Sequence, residues 1–167
     1  MAALSSSDIS TLIGKIKKFP YLCSFGTDGL GPLAGAPTIA PQTETKDVTL
    51  YETEGDVEAS YLTKNDLTVT VRTRDIETAM SLAASITKGA NVLASSLGKA
   101  LTLVPITSAT EKTITFAHAF LQPGLNYTPG ENGDPSVAEL TFLCKADDTT
   151  GLPFAYGSTP SSSASSN

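Results

Sequence analysis

From Thr45 onward the chain alternates apolar and polar residues with a period of two. The segment KDVTLYETEGDVEASYLTKNDLTVTVRTRD (residues 46–75) reads as β structure. With Lys64, Asn65 and Asp66 as a hairpin turn, Thr63 faces Leu67. Tyr61 then faces Val69, Ala59 faces Val71 and Val57 faces Thr73, all on a mostly apolar side. The polar side opposes Leu62 to Thr68, Ser60 to Thr70, Glu58 to Arg72 and Asp56 to Arg74. Each acid–arginine pair contributes roughly 0.2–1 kcal/mol across a strand pair, so burial and charge favour one register.

At Asp75 the period changes. Asp75 reads as an N-cap, and Ile76, Ala79, Met80, Ala83 and Ile86 follow at helical spacing up to Gly89. The opposite side of this helix holds Glu77, Thr78, Ser81, Ser85 and Lys88. Three further strands are predicted: residues 100–107, 112–122 and 136–146. The first two are joined by a short turn near Ser108 and Ala109, and the last two by PGLNYTPGENGDP. Before residue 45, Ser7 and Asp8 precede Ile9, Leu12, Ile13 and Ile16, which predicts an N-terminal helix ending near Phe19. The proline- and glycine-rich stretch 26–41 reads as a loop or extended arm. The chain closes with a turn at residues 147–151, an apolar group at Leu152, Phe154 and Tyr156, and a serine-rich tail. That apolar group is expected to fold onto its own sheet or onto another chain. The element order predicts an α+β fold, mainly antiparallel β: a β-sandwich or open barrel with a flanking α-helix.

Composition narrows the function classes. The 167 residues suit one domain with appendages, and 40% hydrophobic content is enough for a core. A formal net charge of −6 argues against general affinity for nucleic-acid phosphates, which rests on lysine and arginine. The first ten residues lack the basic and apolar regions of a secretory signal, and no apolar run is long enough for a membrane span. A protein made and kept, or assembled, in the cytosol is expected, with no membrane anchor. Two cysteines, Cys23 and Cys144, make no disulfide framework and are expected as reduced, buried thiols.

Candidate chemistry is sparse. The single histidine, His118, sits mid-strand on the side of Ile114, Phe116 and Phe120, and is expected to be a partly buried structural residue. No nucleophile elbow, phosphate loop or zinc-ligand spacing is present. Glu52, Glu54, Asp56 and Glu58 would share one face of a continuous strand. Paired-carboxylate hydrolysis and calcium binding both weaken there, because Asp56 and Glu58 have arginine partners and Gly55 interrupts the run. No enzyme activity, cofactor or metal is expected.

Three stretches carry a likeness to a known family. PQTETKDVTLYETEGDVEASYLTKNDLTVTVRTRDIETAMSLAA is an arm and hairpin leading into a helix. TITFAHAFLQPG is a strand ending at glycine, and SVAELTFLCKADDTTGLPFAYG is a strand, an acidic turn and an aromatic close. Together they resemble the major tail (tail tube) proteins of long-tailed bacteriophages. The resemblance implies a division into an N-terminal helix and arm (1–41), a tail-tube β domain (42–157) and a disordered serine-rich tail (158–167). It implies a structural virion protein, assembled in the host cytoplasm, whose homohexameric rings stack into a hollow tube. DNA would pass through without specific binding. The implied partners are further copies of itself, tape measure and tail-tip or terminator proteins, and a sheath protein if the tail contracts. Glu52 and Glu54 are candidates for the lumen wall or the ring-stacking loop, and Leu152, Phe154 and Tyr156 for an inter-subunit segment. The alternative is a small β-barrel module that binds a ligand or partner.

Overall fold

The computed structural model describes residues 20–49, 57–106 and 112–157, with Glu58 described only in its backbone. The expected N-terminal helix, Glu52, Glu54, Asp56, the turn at Ser108 and Ala109, and the serine tail lie outside the described residues. The strands are β1 (Tyr21–Phe25), β2 (Asp28–Gly29), β3 (Thr38–Thr49), β4 (Val57–Thr73), β5 (Lys99–Pro105), β6 (Ile114–Leu121), β7 (Asn126–Thr128), β8 (Val137–Lys145) and β9 (Ala155–Tyr156). One helix, α1 (Ile76–Ala84), lies between β4 and β5.

Every pairing is antiparallel, in the order β2-β1-β5-β6-β8-β4-β3, with β7 beside β8 and β9 beside β6. The sheet is unclosed but strongly curled. β1 and β8 stand three places apart, a separation of about 14 Å in a flat sheet. Yet the Phe25 and Phe142 rings meet with centroids 4.9 Å apart. The apolar side thus closes on itself, as predicted for an α+β, mainly antiparallel fold with a flanking helix.

The alternation in β8 explains the core. Ala138, Leu140, Phe142 and Cys144 are buried, and the residues between them are partly exposed. Val69 and Val71 of β4, Leu101 and Leu103 of β5 and Cys23 and Phe25 of β1 join them. β1, between the predicted helix and the predicted arm, supplies core side chains, and β3 begins within the stretch read as an arm and runs across Pro41, a residue tolerated in an edge strand.

Helix α1 begins where predicted. Asp75 Oδ1 accepts from the Thr78 backbone N–H at 3.1 Å, satisfying one of the free donors of the first turn. Its buried residues are Ala79 and Leu82, while Met80 is exposed, so the stripe turns slightly from the predicted one. The helix stops at Ala84 rather than near Gly89, because Ser85 and Ile86 bond to carbonyls three residues back. Thr73, fully buried, anchors the entrance: its hydroxyl donates to the Leu30 carbonyl and accepts from the Asp75 N–H at 3.0 Å. Gly31 fits this corner because it has φ +62° and because a Cβ there would stand 2.5 Å from that of Asp75.

Two expectations are corrected. No turn forms at residues 64–66; β4 runs straight through them for 17 residues. Its hairpin partner is β3, with Lys64 opposite Glu44, Asn65 opposite Thr43 and Asp66 opposite Gln42. Val57 and Thr73 are therefore at opposite ends of one strand, and the register that set Asp56 against Arg74 and Glu58 against Arg72 does not occur. Arg72 instead faces Glu139 of β8, with Nε and Oε2 3.9 Å apart. The second correction concerns His118. Leu101 pairs with Phe116 but Lys99 pairs with Ala119, so β6 carries an extra residue there. The inward phase changes from Phe116 to Ala119, and His118 is turned outward, 53% exposed in its side chain.

Candidate assembly surfaces

The sheet proper ends where β4 leaves β8. β8 pairs with β4 only from Leu67 to Thr73. From Asp66 back to Val57, β4 has only β3 beside it among the described residues, so the two strands project as a ribbon about 30 Å long. Every residue of β3 is exposed. Register shifts occur between Glu44 and Thr45 and between Val48 and Thr49, which leave Thr63 and Glu58 as extra residues on β4 and add local twist.

Side chains along this arm divide between two sides. Lys46 lies opposite Tyr61 and Val48 opposite Ala59, so Val48, Ala59 and Tyr61 form one contiguous apolar patch. On the reverse side Leu62 and Val57 are separated by Asp47 and Ser60, whose Oδ1 and Oγ are 2.5 Å apart. Exposure is high: 62% for Tyr61, 57% for Val57 and 56% for Leu62. A lone two-stranded ribbon is at best marginally stable in water, and uncovered apolar groups on both sides ask for a partner. Its root is held polar-to-polar. Lys64 Nζ lies 3.1 Å from Glu44 Oε1, Asp66 Oδ1 accepts from the Ala146 N–H at 3.2 Å, and Asn65 Nδ2 donates to the Gly151 carbonyl at 3.0 Å.

Beside the root opens an apolar groove of about 270 Å³ lined by Ile39, Leu67, Ile114, Phe116, Phe154 and Tyr156. The closing segment forms one wall. Its turn is built as the sequence suggests: the Gly151 N–H donates to the Asp147 carbonyl at 2.7 Å, and Gly151 has φ +68°. Asp147 Oδ1 accepts from the N–H groups of Thr149 (2.8 Å) and Thr150 (3.0 Å), and Oδ2 lies 3.4 Å from His118 Nε2. The Thr149 N–H, then that of Thr150, then His118, hold the Asp147 carboxyl below its usual range. β9 then pairs with β6, Tyr156 opposite Ile114 and Ala155 opposite Thr115, and the Lys112 ammonium stands 5.7 Å from the Tyr156 ring centre. The segment thus docks on its own sheet through these residues. It still leaves Leu152, Phe154 and Tyr156 44–50% exposed.

Arg72 and Arg74 come together elsewhere, on a polar groove of about 380 Å³ shared with Glu131, Asp134 and Pro135 of the β7–β8 connection. Cys23 and Cys144 are free and buried, as expected. Burial pushes both thiols up to about 12, with Cys23 and Asp66 adding to the effect at Cys144, so neither is poised as a nucleophile. Among the described residues no cluster could hold a metal ion and no helix is long and apolar enough to cross a membrane. Ile39, Leu67 and Val48 were not singled out in the sequence. Exposed strand residues carry no signal that distinguishes a docking surface from a solvated one.

No family model and no curated protein matches the chain. Solved structures do. A chain of the anti-feeding prophage cap, the tube-terminating cap, matches with a TM-score of 0.58 at 10% identity, over 86% of this chain and 91% of that one. A chain of the sheath–tube complex of the PVC extracellular contractile injection system, in its extended state, matches at 0.54 and 16% identity, over 84% and 94%. A chain of the native gene transfer agent virion matches at 0.50 and 14% identity, over 83% and 95%. Nearly the whole length is covered on both sides, so this chain has the fold found in the tail structures of phage-like particles.

Proposed function

We propose that the chain is the structural subunit of a phage-type tail tube. Six copies close into a ring, rings stack head to tail, and the genome passes through the bore. The observation that carries this reading is the exposed β3–β4 arm, which projects beyond the sheet without cover from the other described residues. Such an arm is a liability in a monomer and a joint in an assembly. Closing a ring would cover the sheet edges, and head-to-tail contacts would let rings add without limit. With a net charge of −6, the subunit suits a bore that repels DNA phosphates and lets the duplex slide. Glu52 and Glu54, near the arm's tip in sequence, remain candidates for that wall or for the stacking contact. In this reading the protein sits in the virion tail, is assembled in the host cytoplasm and meets tape measure and terminator proteins. It meets a sheath if the tail contracts.

A ligand-binding barrel is the rival. It requires an enclosed apolar cavity, whereas the apolar groove is walled by residues as exposed as Ile39 (42%) and Tyr156 (48%). Sedimentation velocity separates the two. Six copies of a 17.3 kDa chain predict a ring near 104 kDa that grows into larger species with concentration. A single 17 kDa species at every concentration, with or without tail-initiating proteins, would rule the tube reading out.

A further inference from the structure

We infer that the N-terminal stripe of Ile9, Leu12, Ile13 and Ile16 folds back within its own chain onto the outward side of β1 and β5, where an apolar patch stands half exposed. The inference does not depend on the tube reading. Cys23 and Leu103 pair on the inward side, so the neighbouring pair, Leu22 and Val104, points outward. Ile106 continues that side two residues beyond Val104. The three are 52%, 40% and 49% exposed. The next outward pair along the strands is Ser24 opposite Thr102, which is polar. The apolar patch is therefore confined to the end of the sheet at which the chain enters. There the Pro20 carbonyl accepts from the Ile106 N–H at 3.0 Å, so the N-terminal segment meets the sheet beside the patch.

Size and reach select this occupant. Three aliphatic side chains, each about half exposed, offer on the order of 200 Å² of apolar surface, well short of the ~800 Å² that each side of a stable interface between separate molecules buries. A tethered segment needs far less, because a short tether holds it at high effective concentration. Ile16 is six residues from Leu22, and a helix from Ile9 to Lys18 would be about 15 Å long, enough to cross both strands. The stripe needs a surface in turn, since a helix of about ten residues is marginal in water unless its apolar side packs on something. Its remaining residues suit the same placement. Ser10, Thr11 and Lys15 lie off the stripe and stay in water when it docks, and Lys17 and Lys18 join Lys15 in the last turn, where the helix dipole favours cations.

Cysteine pairing tests this in the dilute full-length chain. Val104→Cys is combined in one chain with Leu12→Cys, on the stripe, or with Thr11→Cys, on the opposite side. The native thiols are buried with pKa values of about 12 and do not compete. On oxidation, the Leu12–Val104 variant is expected to close an intrachain disulfide about ten-fold faster than the Thr11–Val104 variant, whose tether is as long. Equal rates would mean that the tether alone brings the thiols together, and would overturn the proposal. So would preferential linkage between separate chains carrying Leu12→Cys and Val104→Cys, which would make the patch a contact with a second copy. Faster closure of Leu12→Cys with Phe154→Cys would place the stripe in the apolar groove and also overturn it. Amide exchange of the parent needs no cysteine variant. Residues 12–18 of the dilute chain are expected to exchange about ten-fold more slowly than an unstructured peptide. Val104→Asp, at an exposed position, should abolish that protection while the β8 amides stay protected. Exchange at the unstructured rate in the parent would overturn the proposal. Neither readout requires assembly, so failure of this inference leaves the tube reading standing.

Discussion

The two ends of β4 are expected to respond oppositely to truncation. Tyr61, on the arm, is 62% exposed, whereas Val69, eight residues on, is fully buried between β3 and β8. Tyr61→Ala removes a side chain that the isolated subunit barely uses, so its stability should change by about 0.5 kcal/mol or less, as for surface positions generally. If docking covers the rest of the ring, about 60% of a roughly 200 Å² aromatic surface leaves water at each contact. At about 25 cal/mol per Å² that is ~3 kcal/mol per subunit, or roughly a 100-fold rise in the concentration needed to assemble. Val69→Ala deletes two methyl groups from a packed core and should destabilise the monomer by about 2–3 kcal/mol. Urea unfolding of dilute protein reports the first quantity. The protein left in the supernatant after pelleting assemblies reports the second. If Tyr61→Ala weakens the monomer as much as Val69→Ala and leaves the supernatant concentration unchanged, the arm is an internal packing element and the reasoning is wrong.

Three further outcomes follow from the geometry. Thr73→Val strips partners from the buried Leu30 carbonyl and the Asp75 N–H and should cost about 1–3 kcal/mol in urea unfolding, whereas Thr115→Val, where the buried hydroxyl has no hydrogen-bond partner, should be neutral or stabilising. Asp147 has its folded pKa depressed, so the stability it contributes is complete above its unfolded value, near pH 4, and is lost as pH falls through the folded value. Hydrogen exchange at the Thr149 and Thr150 amides should therefore accelerate below that pH in the parent, and at neutral pH in Asp147→Ala. A thiol reagent at pH 8 should leave Cys23 and Cys144 unmodified in the folded chain and modify both in denaturant; fast labelling of either in the native state would contradict their burial.

The parts of the fold legible in the sequence are those where burial imposes a pattern. β8 alternates cleanly because one side faces the core, and β5, β6, β8 and the start of α1 fall within a residue or two of prediction. The 46–75 hairpin misled for a physical reason. Both sides of the arm are exposed, so nothing there ties register to burial, and a false turn at Lys64–Asp66 found matching charges. The real partner of Arg72, Glu139, lies on β8, and such distant pairings carry no local signal. His118 was misplaced because a bulge, invisible to a period-two count, reverses the phase of β6. The groove was not legible because β3, β4, β6 and the closing segment each supply only one or two of its residues. The closing segment itself was half legible. Its turn and aromatic close are where the sequence puts them, and the structure adds that they dock on β6.

Negative-stain electron microscopy of the concentrated protein tests the central claim most directly. The tube account predicts rings and stacked tubes whose end-on views average to six-fold symmetry. A monodisperse monomer at millimolar concentration, forming no tubes even when tail-initiating proteins are added, would contradict it.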